Sequence, residues 1–160
     1  MLVLVAGLLA GRWPFSPPSP PPPGTLEEGV YQVERVVDGD TLVLTNGAKV
    51  RLIGADTPET KRPDYPVEPF GPEATRFTKD FVAGGQVRLT FDGRRRDRYD
   101  RFLAHVWVGD RMLEEELIRN GLARAITKYD YSQSTKDRYV ALEAEARAAG
   151  RGMWSNDETP

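Results

Sequence analysis

The stretch from Arg35 to Glu59, RVVDGDTLVLTNGAKVRLIGADTPE, constrains the fold more than any other part of the chain. It reads as two β-strands, roughly Thr41 to Thr45 and Lys49 to Ile53, folded back through Asn46-Gly47, the strongest short-range hairpin signal a sequence offers. Acidic residues stand at both open ends. Asp38 and Asp40 precede the first strand, and Asp56 and Glu59 follow the second, so closing the hairpin brings four carboxylates to one end of the sheet. Hard oxygen ligands of this kind suit Ca²⁺ or Mg²⁺, and a chain with no Cys and one His is a poor candidate for zinc or copper. Arg51 lies on the second strand beside these acids. Carboxylates, a hard cation and a guanidinium together suggest phosphodiester chemistry, in which the metal polarises a phosphate and the Arg clamps it.

The remaining elements follow from periodicity and punctuation. A first strand is expected from about Gly29 to Val37, rich in β-branched residues. A loop punctuated by Pro63, Pro66 and Pro69 reads as a candidate functional flap. Pro72 then opens a helix with Ala74, Phe77, Thr78 and Phe81 on one stripe, ended by Gly84-Gly85. Two more strands, Gln86 to Phe91 and Arg101 to Val108, flank an arginine-rich loop. A second helix is expected from about Arg111 to Asn120 with Gly121 at its cap, and a third from Ser134 or Thr135 to Gly150, with Tyr139, Leu142 and Ala146 inward. Five strands and three helices make an α+β domain, and a small closed Greek-key barrel buries five strands without leaving long edges.

The chain carries a formal net charge of -2, so any grip on nucleic acid has to be local. From Arg88 to Arg101 the sequence supplies Arg88, Arg94, Arg95, Arg96, Arg98 and Arg101 against Asp92, Asp97 and Asp100. Such a run reads equally as a basic stripe or as a solvated loop. His105, alternating with Leu103 and Trp107, reads as a structural residue. An EF-hand is excluded because Val43 stands where that loop needs Gly. Glu59-Thr60-Lys61 matches half of another nuclease motif, which belongs on a strand; Pro58 and Pro63 bracket it here.

Ahead of residue 25 the organisation changes. MLVLVAGLLA is continuously apolar, and seven of the chain's 13 prolines fall between Pro14 and Pro23. Ten residues are too few for a membrane span, which needs about 17 to 25. An export signal whose start lies upstream, a short anchor and a mis-assigned start codon all fit. Polyproline II geometry makes the next segment a stiff spacer of roughly 30 Å. The expected organisation is therefore a signal-like or anchor-like segment with its linker over 1–24, a globular domain over 25–156 and a tail over 157–160. An extracellular or envelope location is expected, with membrane attachment through the N-terminus open and a monomer as default.

Six segments, VVDGDTLVL, VRLIGADTPET, FGPEATRFTKDFV, DRYDRFLAHVWV, EELIRNGLAR and GMWS, resemble in the same order the staphylococcal nuclease (thermonuclease) family. The resemblance runs from about Val30 to Ser155. It implies a five-stranded OB barrel with three helices and calcium-dependent hydrolysis of DNA and RNA leaving 3'-phosphates. By motif, it makes Asp40, Asp56 and the Thr57 carbonyl the Ca²⁺ ligands, with Asp38 and Thr41 behind them. Water and a substrate oxygen would complete the shell. Glu59 is implied as the residue that activates or positions the attacking water. Arg51 and Arg101 are implied as the pair gripping the scissile phosphate, with Arg98, Tyr99 and Tyr129 contacting substrate. Thr127 stands where the family has an aromatic residue. The alternative is an OB-fold module that binds nucleic acid without cleaving it; such relatives lack one or more of these acids and arginines, and here all are present.

Overall fold

A computed structural model describes residues 24–61 and 63–155. The apolar segment, almost all of the proline-rich linker and the C-terminal tail lie outside the described residues, as do the expectations placed on them. Eight strands and three helices follow one another: β1 (Gly29–Asp38), β2 (Thr41–Leu44), β3 (Lys49–Leu52), β4 (Ala55–Asp56), α1 (Gly71–Phe81), β5 (Gln86–Thr90), β6 (Phe102–Val108), β7 (Arg111–Met112), α2 (Leu113–Arg119), β8 (Arg124–Ala125) and α3 (Gln133–Ala148). A 3₁₀ turn over Gly152–Trp154 ends the fold.

The long strands close on themselves in the order β3-β2-β1-β5-β6, with β6 returning to β3. That last pairing is parallel and sets Val50 opposite Phe102 and Arg51 opposite Leu103. The result is the expected five-stranded OB barrel with three helices. β1 serves two neighbours, pairing β5 through Gly29 to Gln32 and β2 through Val33 to Asp38. Register shifts at Val33/Arg35 and Val36/Asp38 bend the strand from one neighbour to the other. Leu42, Leu44, Val50, Leu52, Leu89 and Val106 fill the interior, and Leu113, Leu117 and Tyr139 cap it from α2 and α3. Trp154 is buried beneath the guanidinium of Arg147, 3.5 Å from its ring centroid, and packs as an anchor.

Several boundaries differ from the sequence reading, each for a long-range reason. Arg111 and Met112 pair with Val108 and Trp107 as a hairpin strand, with Gly109 (φ 58°) in the turn, so α2 begins at Leu113. The third helix begins at Gln133, before Ser134. Its entrance is held by Asp92, 40 positions away, whose carboxylate accepts the Ser132 N–H at 3.1 Å and the Ser132 hydroxyl at 2.7 Å. β4 and β8 form a two-residue clasp, Ala55 opposite Ala125 and Asp56 opposite Arg124, too short to leave a pattern.

His105 is structural, and it sits among acids. Its Nδ1 lies 3.2 Å from Glu114 Oε1 and 3.3 Å from the Tyr139 hydroxyl, and its Nε2 lies 3.6 Å from Asp92. Burial opposes protonation of the ring, but hydrogen bonds and charge from Glu114, then Asp92, outweigh it and raise the pKa above 6.5. Asp92 is itself pushed up by burial, yet the bonds from Ser132 and the charge of His105 leave it below the ordinary carboxylate range. The raised imidazole contributes stability in full below pH 6.5, and that contribution is lost as pH rises through the raised folded value. The melting-temperature advantage of wild type over His105→Leu should therefore shrink as pH rises above 6.5; a gap that widens with pH would show that the ring is neutral in the fold.

Candidate active site

The hairpin delivers its acids as its turn chemistry dictates. Asp38 ends β1 and Asp40 precedes β2, with Gly39 between them packed so closely that a Cβ there would lie 2.7 Å from Thr57 Cγ2. This close approach brings the loop after β3 onto Asp40. Asp40 Oδ2 accepts from the Thr57 N–H at 2.9 Å and the Thr57 hydroxyl at 3.0 Å, and Oδ1 accepts from the Thr41 hydroxyl at 3.0 Å. The Gly39 carbonyl accepts from Thr78 of α1 at 2.6 Å, pinning the turn to the helix.

Arg51 joins the two acidic ends. Its Nη2 lies 3.1 Å from Asp40 Oδ2 and 2.6 Å from Asp56 Oδ1, while Nη1 donates to the carbonyls of Ala55 at 2.6 Å and Leu52 at 3.1 Å. Asp40 and Asp56 thus share one cationic nitrogen. Asp38, Asp40, Asp56, Thr57 and Glu59 together line a cavity of about 150 Å³, and Arg51 and Arg101 complete its wall. Among the described residues, no three His, Cys, Asp or Glu side chains are clustered to enclose an ion. The acids are nonetheless crowded. Burial, then the charge of Asp40, raises the Asp38 pKa to about 6. Burial also raises Asp56, with Asp40, Glu68 and Glu59 adding to the shift against the opposing pull of Arg51.

Glu59 reaches the same cavity with its carboxylate oriented by its own loop. Its Oε1 accepts from the Thr60 and Lys61 amides at 2.9 and 2.8 Å, and its N–H donates to Glu68 at 2.9 Å. Arg101 arrives from the far loop. Its Nε donates to Asp97 at 2.7 Å, and Asp97 also accepts from the Tyr99 and Arg101 amides. Burial works against that charge, but the bonds from Arg101 and Tyr99 hold the Asp97 pKa below its usual value.

A second cavity, about 570 Å³, adjoins the first through Arg51 and Arg101. Arg98, Tyr99 and Tyr129 all line it. Tyr99 and Tyr129 are 62% and 55% exposed, with the Arg98 guanidinium 4.7 Å from the Tyr99 ring centroid and the Lys128 ammonium 5.4 Å from that of Tyr129. The Tyr99 hydroxyl accepts from Arg98 at 2.6 Å.

The comparisons with known proteins bear directly on this arrangement. The sequence model described as staphylococcal nuclease homologue matches residues 49–156. The thermonuclease of Staphylococcus hyicus is 42% identical over 132 residues, which covers 81% of this chain and 78% of that protein. The chain belongs to the staphylococcal nuclease family. The thermonuclease of Staphylococcus intermedius is 40% identical over 151 residues, 92% of this chain and 86% of its own length. Endonuclease YncB of Bacillus subtilis is 40% identical over 127 residues, 77% of this chain and 60% of that protein.

Within this staphylococcal nuclease homologue, the structure gathers the metal-ligand, catalytic and substrate-contact residues named from the family resemblance along two adjoining cavities, except Thr41, which stands behind Asp40. It adds residues that sequence reasoning passed over. Glu68 ties the proline-punctuated loop to Glu59, its own amide donating to the Glu59 carbonyl at 2.9 Å. Asp97 orients Arg101, and its spacing four residues before that arginine was the available signal. Lys128 lines the larger cavity without having been marked, beside Arg94 of the arginine-rich run. The arginine-rich loop also proves divided in purpose. Arg95 donates to the Leu26 carbonyl and Arg96 to that of Gly24, so these two strap down the start of the domain instead of facing the cavities.

Proposed function

We propose that this protein is a calcium-dependent nuclease that hydrolyses phosphodiester bonds of DNA and RNA with little sequence preference. The observation that carries the reading is the convergence of Asp40, Asp56 and Arg51 on one cavity that Arg101 enters from a loop 50 residues further along the chain. Family membership supports nuclease activity on nucleic acid. Calcium and the breadth of substrate are the finer part of the proposal.

The donor set fits a hard divalent cation. Asp40 and Asp56 share one nitrogen of Arg51, and burial together with neighbouring acids raises the pKa of Asp38 and Asp56, a cost that a bound cation would offset. Asp40, Asp56 and the Thr57 carbonyl would hold the ion, leaving room for water and a phosphate oxygen, as a catalytic Ca²⁺ site requires. When bound, Ca²⁺ neutralises charge on the phosphate and makes its phosphorus more electrophilic. The remaining work belongs to the chain. Arg51 and Arg101 hold the non-bridging oxygens from two sides, where their charge counts most as negative charge grows in the transition state. Glu59, with Oε1 fixed by two amides, orients the water and takes its proton as the new P–O bond forms. The P–O5' bond breaks, the leaving oxygen is protonated from solvent, and a 3'-phosphate remains. Thr41 and Asp38 keep the Asp40 carboxylate and its loop in place.

Incubating the full chain with a plasmid and a folded RNA, with EGTA and with Ca²⁺ or Mg²⁺ restored, tests substrate and metal together. Both polymers should be degraded with Ca²⁺, and EGTA should abolish turnover. Cleavage that persists in EGTA would remove the calcium requirement, and binding without cleavage under every condition would leave a nucleic-acid-binding module. An extracellular or envelope location, inferred from the apolar N-terminus, belongs to the same proposal and is read by cell fractionation.

A further inference from the structure

The larger cavity holds more positive charge than the chemistry at the smaller one uses. Arg51 is engaged by Asp40 and Asp56, and Arg101 by Asp97. In the arginine-rich loop, Arg95 and Arg96 are committed to backbone carbonyls at the start of the domain. Arg94 differs from them. It lines the larger cavity, is exposed, and among the described residues no acceptor meets its guanidinium. Lys128 lines the same cavity from the segment after β8, is also exposed, and among the described residues meets only the ring of Tyr129, 5.4 Å from its centroid.

A single backbone feature holds these two cations to one groove. Gly93 adopts φ +82°, and a Cβ there would stand 2.1 Å from the Asp130 carbonyl oxygen. Only glycine lets the arginine loop lie directly on the 128–130 segment, where the Arg94 N–H meets the Asp130 carbonyl at 3.4 Å. Two exposed cations with no ion pair among the described residues are thereby set in a groove that also presents Tyr99, Tyr129 and Asp130. Basic side chains tracking a backbone, interleaved with stacking aromatics, form the usual surface for single-stranded nucleic acid. In a chain of net charge -2, Arg94 and Lys128 add to Arg98, which lines the same cavity and among the described residues meets only Tyr99, as cations facing phosphates other than the one being cleaved.

We propose that Arg94 and Lys128 form a phosphate subsite for the backbone beyond the scissile position, which makes the protein select polynucleotides over dinucleotides. The inference rests on the reading of this groove as the nucleotide site. Its chemistry is the phosphodiester of a flexible single strand, and it operates whether or not hydrolysis follows.

The test separates binding from turnover. Fluorescence anisotropy with EDTA present would measure affinity of the full chain for a labelled thymidine dinucleotide and for an oligothymidylate of about twelve nucleotides, within the range one such fold covers. Variants are Arg94→Ala, Lys128→Ala and their combination, with Lys79→Ala on α1 as an exposed control that removes one charge elsewhere. Each groove variant should weaken the longer strand by about 3- to 10-fold, and reduce the slope of log affinity against log salt by about 0.7. The dinucleotide and the control should be unaffected. Equal losses on both ligands, an equal loss in Lys79→Ala, an unchanged salt slope or no wild-type binding to the longer strand would each overturn the subsite. A parallel cleavage assay with Ca²⁺ reports the nuclease reading by itself: a chain that binds as expected but does not cleave keeps the subsite and loses the enzyme.

Discussion

Arg101→Ala should lower turnover on an oligonucleotide by on the order of 10³- to 10⁵-fold, the scale on which an arginine stabilising a phosphoryl transition state contributes. Its melting temperature should stay near that of wild type, because Asp97 keeps its bonds from the Tyr99 and Arg101 amides when the side chain is gone. Arg51→Lys should lose activity on a similar scale for a second reason. The Arg51 fork reaches the Ala55 and Leu52 carbonyls through one nitrogen and Asp40 and Asp56 through the other, a planar span that a single ammonium cannot reproduce. Some loss of stability should accompany this change, since the same fork ties β3 to the loop bearing Asp56. Either variant retaining half of the wild-type turnover would remove its arginine from the phosphate clamp.

The largest effect on stability should come from Glu114, which is fully buried. Glu114→Ala takes from His105 its main partner and should cost about 3–5 kcal/mol in urea unfolding, the usual penalty for leaving one half of a buried pair. Replacing both residues, as in His105→Leu with Glu114→Leu, should recover much of that loss. A deficit of about 1–3 kcal/mol should remain, because the Val106 N–H, which donates to Glu114 Oε2 at 3.2 Å, would have no acceptor. Strictly additive losses would mean that the imidazole and the carboxylate contribute independently.

Local chemistry was enough to read the barrel and the acidic cluster with Arg51, while Thr57, Arg98, Tyr99, Arg101 and Tyr129 came from the family resemblance. Asn46-Gly47, the alternation in β2 and β3, and the Pro-first, Gly-last frame of α1 all report on neighbours in the chain, so the hairpin and its flanking acids could be placed from the letters. The contacts that were missed cross long distances. Nothing near Ser132 announces that Asp92 will hold the entrance of α3, and nothing near Arg95 and Arg96 says that they reach back to Leu26 and Gly24. The run of arginines looked uniform because composition cannot tell a guanidinium spent on a carbonyl from one left facing a groove. Glu68 and Lys128 were passed over for a similar reason, since each takes its meaning from the segment that the folded chain lays against it.

The parallel contact of β3 with β6 sets when the molecule becomes competent as well as where its arginines stand. Segments so far apart in sequence meet only after the chain has met the entropic cost of a long loop, and such pairings tend to form slowly. An early hairpin would already display Asp40, Asp56 and Arg51 while lacking the opposing guanidinium. During refolding, the first appearance of phosphodiester cleavage would accordingly act as a stopwatch for the final seam, and a newly made chain would remain harmless to nucleic acid until that seam had closed.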